Sequence, residues 1–474
     1  MSRPVRSLFY RPIVMISDVC LVNAGFLIAF FLRRHYLLTP HANVSSYLQL
    51  SGLVCLTTLV IFHLLDLYRD WLRRSLRHVL YSIIIAVGMT LLTTMGLGFW
   101  ARQFAFPRSV LLLAACIQIG LLCTYRIQMR RMYRRWCGNR HTIVVGENQD
   151  DAWSVIQKFE EHDVGLYNME GYVVRRDLQP PYAELEAAET VVLSQGLQEK
   201  EDIILHCFRT HKEVLVVPNL SELTLFGAEA REVDDMLILG IQPHRLNPAE
   251  ELLKRTVDLV ASSALLLLSS PVLLIVAVVI RLTSSGPILY RQERIGRGGK
   301  PFRVLKFRTM AVDAERYSGP VLASEHDPRV TEIGRLLRAT RVDELPQMLN
   351  VIKGEMSLVG PRPERPYFVE RFERAFPAYE LRHAVKPGIT GLAQVVGRYG
   401  TTVESKLHFD LLYIYNYSLL LDLKILLQTV RVVLLGEQAA GLKIKTSSRM
   451  PRHVVERLRI KPIEIAEPSN SQTD

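Results

Sequence analysis

The sequence predicts a three-part membrane protein. An N-terminal four-helix transmembrane bundle is followed by a central α/β Rossmann-like domain. An α-rich C-terminal domain, held to the membrane by a re-entrant helix, comes last. Three observations predict this. Four apolar runs fall within the first 125 residues. Strand-like and helix-like segments alternate over 140–250. A further apolar run, "LLLLSSPVLLIVAVVI" (Leu265–Ile280), is interrupted by Ser-Ser-Pro and followed by a dense basic segment.

Crossing ~30 Å of hydrocarbon takes ~20 helical residues. Ile13–Leu32, Leu48–Leu65, Val79–Trp100 and Ser109–Tyr125 meet or approach that length, with Asp18 the acid near the start of the first. Any one alone could be a buried core helix; four joined by short loops read as a bundle over 1–135. Arg and Lys set its orientation. Arg3, Arg6 and Arg11 precede the first span, and Arg69, Arg73, Arg74 and Arg77 lie between the second and third. Arg126, Arg130, Arg131, Arg134 and Arg135 follow the fourth. The other two loops hold only Arg33, Arg34, Arg102 and Arg108. The N-terminus and the chain after residue 126 are therefore expected on the cytoplasmic side.

A formal net charge of +11 calls for an anionic partner. The basic residues lie largely beside apolar runs, which selects membrane lipid over nucleic acid. The six cysteines are scattered without a CxxC pair, which argues against a disulfide framework or a zinc site.

In the 140–250 segment, "HTIVVGENQDDAWSVIQKFEEH" reads as strand, turn and helix, and Glu213–Pro218 as a second buried strand. The pattern suggests a parallel sheet. A phosphate-cradling turn would be glycine-rich after the first strand. Here only Gly146 stands there, followed by Glu147 and Asn148. A structural or regulatory role is expected in preference to nucleotide binding.

Leu259–Ile280 is 22 residues without a charge. Pro271 removes a backbone donor, and Ser269 and Ser270 can satisfy the carbonyls it frees. If this segment crossed, Arg291, Arg294, Arg297, Lys300, Arg303, Lys306 and Arg308 would lie outside against Glu293 alone. That contradicts the positive-inside tendency. A helix broken at Ser270-Pro271, entering the cytoplasmic leaflet and returning, fits both facts. A kinked fifth span is the alternative.

From Gly286 the chain is dense in polar motifs. In "RVDELPQMLNVIKGEMSLVGPRP", Asp343 and Glu344 stand just before Leu345-Pro346. Pro346 suits a helix's first turn, and Gly354 can end that helix. The acidic pair is then expected near a helix N-terminus, which favours negative charge. Arg335, Arg338 and Arg341 precede it and Arg362 follows. Arginines can bind diphosphate oxygens in bidentate fashion. One carboxylate can hold Mg²⁺, and the other can serve as base or nucleophile. An ion-paired helix start is the plain alternative.

The motifs "KRTVDLVASS", "SSP", "YRQERIGRGGKPFRVLKFRTM", "RVDELPQMLNVIKGEMSLVGPRP", "KPGITG" and "FDLLYIYNYSLLLDLKILLQTV" occur in that order. Together they resemble the bacterial sugar transferase family, the polyprenol-phosphate hexose-1-phosphate transferases, in its large four-span class. The resemblance implies a monotopic catalytic domain over 254–440. A UDP-sugar would give its sugar-1-phosphate to undecaprenyl phosphate, releasing UMP and starting exopolysaccharide, capsule or O-antigen type glycan synthesis. Asp343 would be the nucleophile of a covalent intermediate. Glu344 would bind Mg²⁺. Lys306, Arg308, Arg338 and Arg362 would bind substrate, and Ser270-Pro271 would break the re-entrant helix. The implied location is the bacterial cytoplasmic (inner) membrane, multi-pass, with the catalytic domain on the cytoplasmic face. A homodimer is a further expectation. Glucose or galactose is the expected sugar. The chain departs from the common pattern at Ala393, Val396, Tyr417 and Arg341-Val342. Residues 445–474 read as a polar tail.

Overall fold

A computed structural model of the chain describes residues 5–435 apart from short stretches, of which 311–328 is the longest, together with residues 461–462. Arg3, Arg69 and Arg102, used above for orientation, lie outside the described residues, as does the polar tail apart from Lys461–Pro462. The chain divides into two compact units, Met1–Asn219 with Ser447–Asp474, and Leu220–Thr446.

The first unit begins with four long helices: α1 (Val5–Leu37), α2 (Ala42–Leu64), α3 (Leu76–Trp100) and α4 (Arg108–Cys137). Each contains a stretch long and apolar enough to cross a membrane. Their inner faces are built from Phe26, Ala29, Val54, Ile83, Ala86, Ala114 and Leu122, all buried. Ile16, Phe31, Leu56, Leu92 and Leu112 are equally apolar but face outward. That is the inverse of a soluble bundle and suits lipid. Asp18 of α1 is buried against Arg126 of α4 at 2.6 Å, and the Arg126 guanidinium lies 4.6 Å from the Trp71 ring centre. A charge at this depth persists only when paired, so the acid noted in the first span ties α1 to α4.

The α/β part follows: β1 (Arg140–Gly146), α5 (Gln149–Glu161), β2 (Tyr167–Val174), β3 (Thr190–Leu193), α6 (Glu201–Arg209) and β4 (Glu213–Val216). The strands are parallel in the order β2-β1-β3-β4, and Lys461–Pro462 adds to the outer side of β2. Central strands β1 and β3 are buried on both faces, which explains their unbroken Ile143-Val144-Val145 and Val191-Val192-Leu193 runs. The expected buried strand at Glu213–Pro218 is corrected in one respect. It forms β4, at the sheet's edge, and its residues are only half-buried or exposed.

The second unit opens with α7 (Leu220–Leu225) and an antiparallel hairpin, β5 (Glu229–Val233) and β6 (Met236–Gly240). Then comes α8 (Pro248–Thr283). Asn247 and Glu250 cap it reciprocally, and Pro248 supplies the first turn. The expected break at Ser270-Pro271 is corrected: α8 runs as one helix through Pro271. The reason is local. Pro271 cannot donate to the carbonyl of Leu267, and Ser270 Oγ donates to that carbonyl instead at 2.7 Å. Ser269 Oγ likewise bonds Leu265 O at 2.6 Å.

A hairpin of β7 (Leu289–Ile295) and β8 (Pro301–Phe307) precedes α9 (Glu332–Thr340). A 3-10 turn over Val342–Gln347 runs into α10 (Met348–Lys353), which Gly354 ends at φ 90° as the sequence suggested. Next are β9 (Ser357–Val359), α11 (Pro366–Ala375), a 3-10 segment (Pro377–Ala384), β10 (Gly388–Thr390), α12 (Leu392–Val396), α13 (Val403–Tyr415) and α14 (Leu419–Leu435). Val351, Met356, Leu358, Leu411, Tyr413 and Ile425 form the core. Both α13 and α14 contribute to it, while Leu420, Leu423 and Val430 keep a second face of α14 apolar and exposed.

Strands β9 and β10 pair in parallel and cross at glycine. A Cβ at Gly388 would lie 2.1 Å from Gly360 N, and one at Gly360 would lie 2.5 Å from Lys386 O. Backbone bonds from Gly360 N to Thr390 O and from Gly388 N to Pro361 O, both 2.9 Å, close the contact. Substituting Gly388→Ala forces these backbones apart and is expected to destabilise the unit by about 1–3 kcal/mol. A thermal unfolding midpoint equal to wild type would refute the contact.

Candidate functional site

The 3-10 turn between α9 and α10 carries Asp343 and Glu344, both buried at 7% and 8% exposure. Pro346 lies inside this turn rather than in the first turn of α10. The expected place of Pro346 is therefore corrected, while the acidic pair does stand in the first turn of a helical segment, the 3-10 turn that runs into α10. Fixed cations are in direct contact with Glu344.

Glu344 Oε1 receives Arg362 Nη2 at 2.7 Å and Lys306 Nζ at 3.0 Å, with Arg341 Nη1 at 3.9 Å. Lys306 comes from β8. Arg362 follows the glycine crossing of β9 and β10, which aims "GPRP" at the turn. Arg341 is in the left-handed region at φ 58°, the joint between α9 and the turn. Burial by itself would raise the Glu344 carboxyl; Arg362, then Lys306, outweigh it and hold Glu344 well below the usual carboxylate range. Magnitudes agree: at ~3 Å and an effective dielectric near 20, each cation contributes roughly 5 kcal/mol, against a burial penalty of several kcal/mol.

Asp343 has the opposite fate. Its Oδ1 is buried without a hydrogen-bond partner among the described residues. Burial and then the Glu344 charge push its carboxyl up to about 6, with Lys306, Arg338 and Arg341 opposing. Adjacent carboxylates with diverging protonation are suited to different tasks. Glu344 is a permanent anion, and Asp343 is a carboxylate without a dedicated partner at Oδ1.

The other sequence-nominated residues fall as follows. Arg338 Nε donates to Thr309 Oγ1 at 2.9 Å and contributes its charge to Asp343. Arg308 is buried and donates from Nη2 to Ser284 O (3.0 Å) and Ser284 Oγ (2.6 Å), tying the end of α8 to β8. Its Nη1 has no partner among the described residues. Arg335 is exposed. For a divalent cation, Glu344 Oε2 carries none of the contacts that engage Oε1. Mg²⁺ commonly takes one or two carboxylates and completes its shell with phosphate and water, so these residues fit it.

Sequence reasoning missed the groups that hold Arg362. Arg382 is buried, donates to Arg362 O at 2.8 Å and pairs with Asp410 at 2.8 Å. Arg294 donates to Pro363 O at 2.9 Å and pairs with Glu364 at 3.2 Å. One signal was readable: Asp410 is a lone acid on the apolar face of α13 formed by Leu407, Leu411 and Ile414.

Comparison with known proteins can now be set beside this geometry. The family model described as bacterial sugar transferase matches residues 249–436. A UDP-glucose:undecaprenyl-phosphate glucose-1-phosphate transferase of Escherichia coli is 32% identical over 81% of this chain and 89% of its own length. The chain belongs to the bacterial sugar transferase family. It is an enzyme of the phosphotransferase class. A protein of the same description from Klebsiella pneumoniae is 29% identical over 87% of this chain and 93% of its own length. A UDP-N-acetylgalactosamine-undecaprenyl-phosphate N-acetylgalactosaminephosphotransferase of Aeromonas hydrophila is 39% identical, over 50% of this chain and 56% of its own length.

A model described as CoA-binding domain matches residues 63–181. Nucleotides bind such sheets at the C-terminal strand ends where the order reverses, here between β1 and β3. The chain's own carboxylates occupy that crevice. Asp151 Oδ2 accepts Glu147 N at 3.2 Å and the Ser194 hydroxyl, and Glu147 accepts Gln198 N at 3.3 Å. A Cβ at Gly146 would lie 2.8 Å from Ala152 N, so the turn is already closed down. These residues do not fit the phosphates of CoA.

Proposed function

We propose that the enzyme transfers a hexose-1-phosphate from a UDP-sugar to undecaprenyl phosphate at the cytoplasmic face of the bacterial inner membrane, beginning glycan synthesis. The observation that carries this is the split pair, a charge-paired Glu344 beside an Asp343 whose Oδ1 has no partner among the described residues. It is supported by the printed activities of the E. coli and K. pneumoniae relatives.

In the proposed course, an Asp343 oxygen attacks the phosphorus that bears the sugar. The bond from that phosphorus to the UMP oxygen breaks, and UMP leaves with the electron pair. An aspartyl phospho-sugar results. An oxygen of undecaprenyl phosphate then attacks the same phosphorus, and the Asp343 carboxylate leaves unchanged. Lys306, Arg338, Arg308 and Arg362 are the proposed substrate-binding cations, with Arg341 added in this chain. Glu344 would hold Mg²⁺, which would supply charge neutralisation at the diphosphate. Glucose, galactose and N-acetylgalactosamine remain the sugars to test. A homodimer is proposed through β6, where Met236, Leu237 and Leu239 are exposed.

The re-entrant reading of α8 belongs to this proposal. Its early residues Arg255 and Asp258 bond α10 and β9 of the C-terminal unit. Its late residues Leu273, Val276, Ala277 and Ile280 join Phe307, Leu337 and Val342 in one cluster beside Asp343. Both ends of α8 thus grip one compact unit, whereas a crossing would separate them by a bilayer. Between them Leu267, Leu268, Leu274 and Ile275 are exposed and apolar, as lipid contact requires.

With undecaprenyl phosphate and a UDP-sugar panel, the wild type should release UMP. Asp343→Asn should lower turnover by about 10³-fold or more and abolish the phospho-sugar mass adduct; retained turnover removes the nucleophile assignment. Glu344→Gln should weaken the Mg²⁺ dependence, and an unchanged metal response counts against its role. Attack needs the ionised carboxylate, so kcat/KM should rise with pH through about 6 and fall below it. A profile flat down to the ordinary carboxylate range contradicts that. A tag inserted after Arg281 should stay inaccessible from outside intact cells; external labelling would convert α8 into a fifth span.

A further inference from the structure

A second charged cleft lies in the C-terminal unit at the start of α8. Four cations line it: Lys254 and Arg255 of α8, Arg297 of the turn between β7 and β8, and Lys386 just before β10. The fold engages three of them. Lys254 pairs with Asp422 at 2.6 Å and lies 5.3 Å from the Tyr417 ring centre. Arg297 pairs with Glu251. Arg255 donates to Val351 O at 2.6 Å and Ile352 O at 2.8 Å. Lys386 makes no hydrogen bond or ion pair among the described residues.

The carboxylates do not balance this set. Asp422 and Glu251 are matched by Lys254 and Arg297. Asp258, the remaining acid of the cleft, accepts Leu358 N at 3.1 Å. Arg255 and Lys386 therefore face one carboxylate between them, an excess of one positive charge. Arg255 spends its contacts on neutral carbonyls, and a guanidinium has five donors in all.

The two cations also converge. Arg255 Nη2 and Lys386 Nζ lie 3.5 Å and 3.9 Å from one point, the place a Cβ would occupy at Gly354. The two nitrogens therefore stand within about 7.4 Å of each other, and the glycine puts no side chain between them. We propose that this cleft binds a phosphate group, with Arg255 and Lys386 as the cations that hold it. Burial, then Arg255 and Arg297, lower the Lys386 ammonium from its usual value, while Asp258 and Glu251 oppose this. An arriving anion relieves that crowding.

Position narrows the source. Arg255 lies just before Leu259, where the uncharged stretch of α8 begins. In the membrane placement proposed above this is headgroup depth, where phospholipid phosphates lie. A free phosphate ion presents the same chemistry. The lipid source rests on that placement and the phosphate source does not, so their failures are distinguishable.

The test uses the full-length protein in nanodiscs. In phosphatidylcholine mixed with phosphatidylglycerol, native mass spectrometry counts the lipids that stay bound. Wild type should retain phosphatidylglycerol in preference. Lys386→Ala and Lys386→Gln should retain it about tenfold less, and Lys386→Arg should restore it. In phosphatidylcholine alone, a thermal shift with inorganic phosphate that is lost in Lys386→Gln assigns the cleft to a free phosphate. Because Lys386 has no hydrogen-bond or ion-pair partner to lose among the described residues, Lys386→Ala and Lys386→Gln should unfold at the wild-type midpoint without ligand. Equal lipid retention and equal phosphate response in wild type and Lys386→Gln overturn the proposal.

Discussion

The grip of Lys306 and Arg362 on one oxygen of Glu344 is the interaction around which the C-terminal unit is arranged. A lone buried carboxylate would take up a proton rather than remain charged. Two cations in direct contact reverse that balance. Burial raises Asp343, and the anion they stabilise beside it raises it further. Neither effect survives displacement by a few ångströms, because Coulomb attraction at contact is what exceeds desolvation. This explains why so much of the fold serves geometry. Strand β8 supplies Lys306, and the glycine contact of β9 with β10 aims Arg362. Arg382, itself neutralised by Asp410, holds the Arg362 carbonyl.

In the proposed placement, helix α8 links this electrostatic centre to the membrane. Its capped start is bonded to α10 and β9, and its end is clamped by Arg308 at Ser284. Between these anchors the side chains are apolar and uncovered. A helix fixed at both ends to one unit can present its middle to lipid and still hold the proposed catalytic turn at constant depth. Ser270 removes the main cost of the proline by occupying the carbonyl that Pro271 leaves open. The substrates proposed here, one soluble and one anchored in lipid, need such a fixed depth to meet.

The α/β domain shows that a fold does not carry its usual ligand by default. Its parallel sheet has the crevice where such sheets bind nucleotides, yet Asp151 and Glu147 fill it. Acids placed there satisfy the backbone donors a diphosphate would use and repel its charge. The sheet is retained while the site is closed.

The sequence alone was enough for the features set by local pattern. Uncharged length gave the spans. Unbroken aliphatic runs gave the parallel strands, although the exposed edge of β4 needed its neighbours to be seen. Motif order gave the family and the acidic pair. Tertiary structure decided which charges meet. Lys306, Glu344 and Arg362 are far apart in sequence, and only the hairpin, the turn and the glycine crossing bring them to one oxygen. The same holds for Arg308, directed to Ser284, and for Pro346, which sits in the 3-10 turn and not in the first turn of α10. Apolar periodicity records what each segment buries. It does not record which distant side chain shares that burial, and a buried charge depends on its partner.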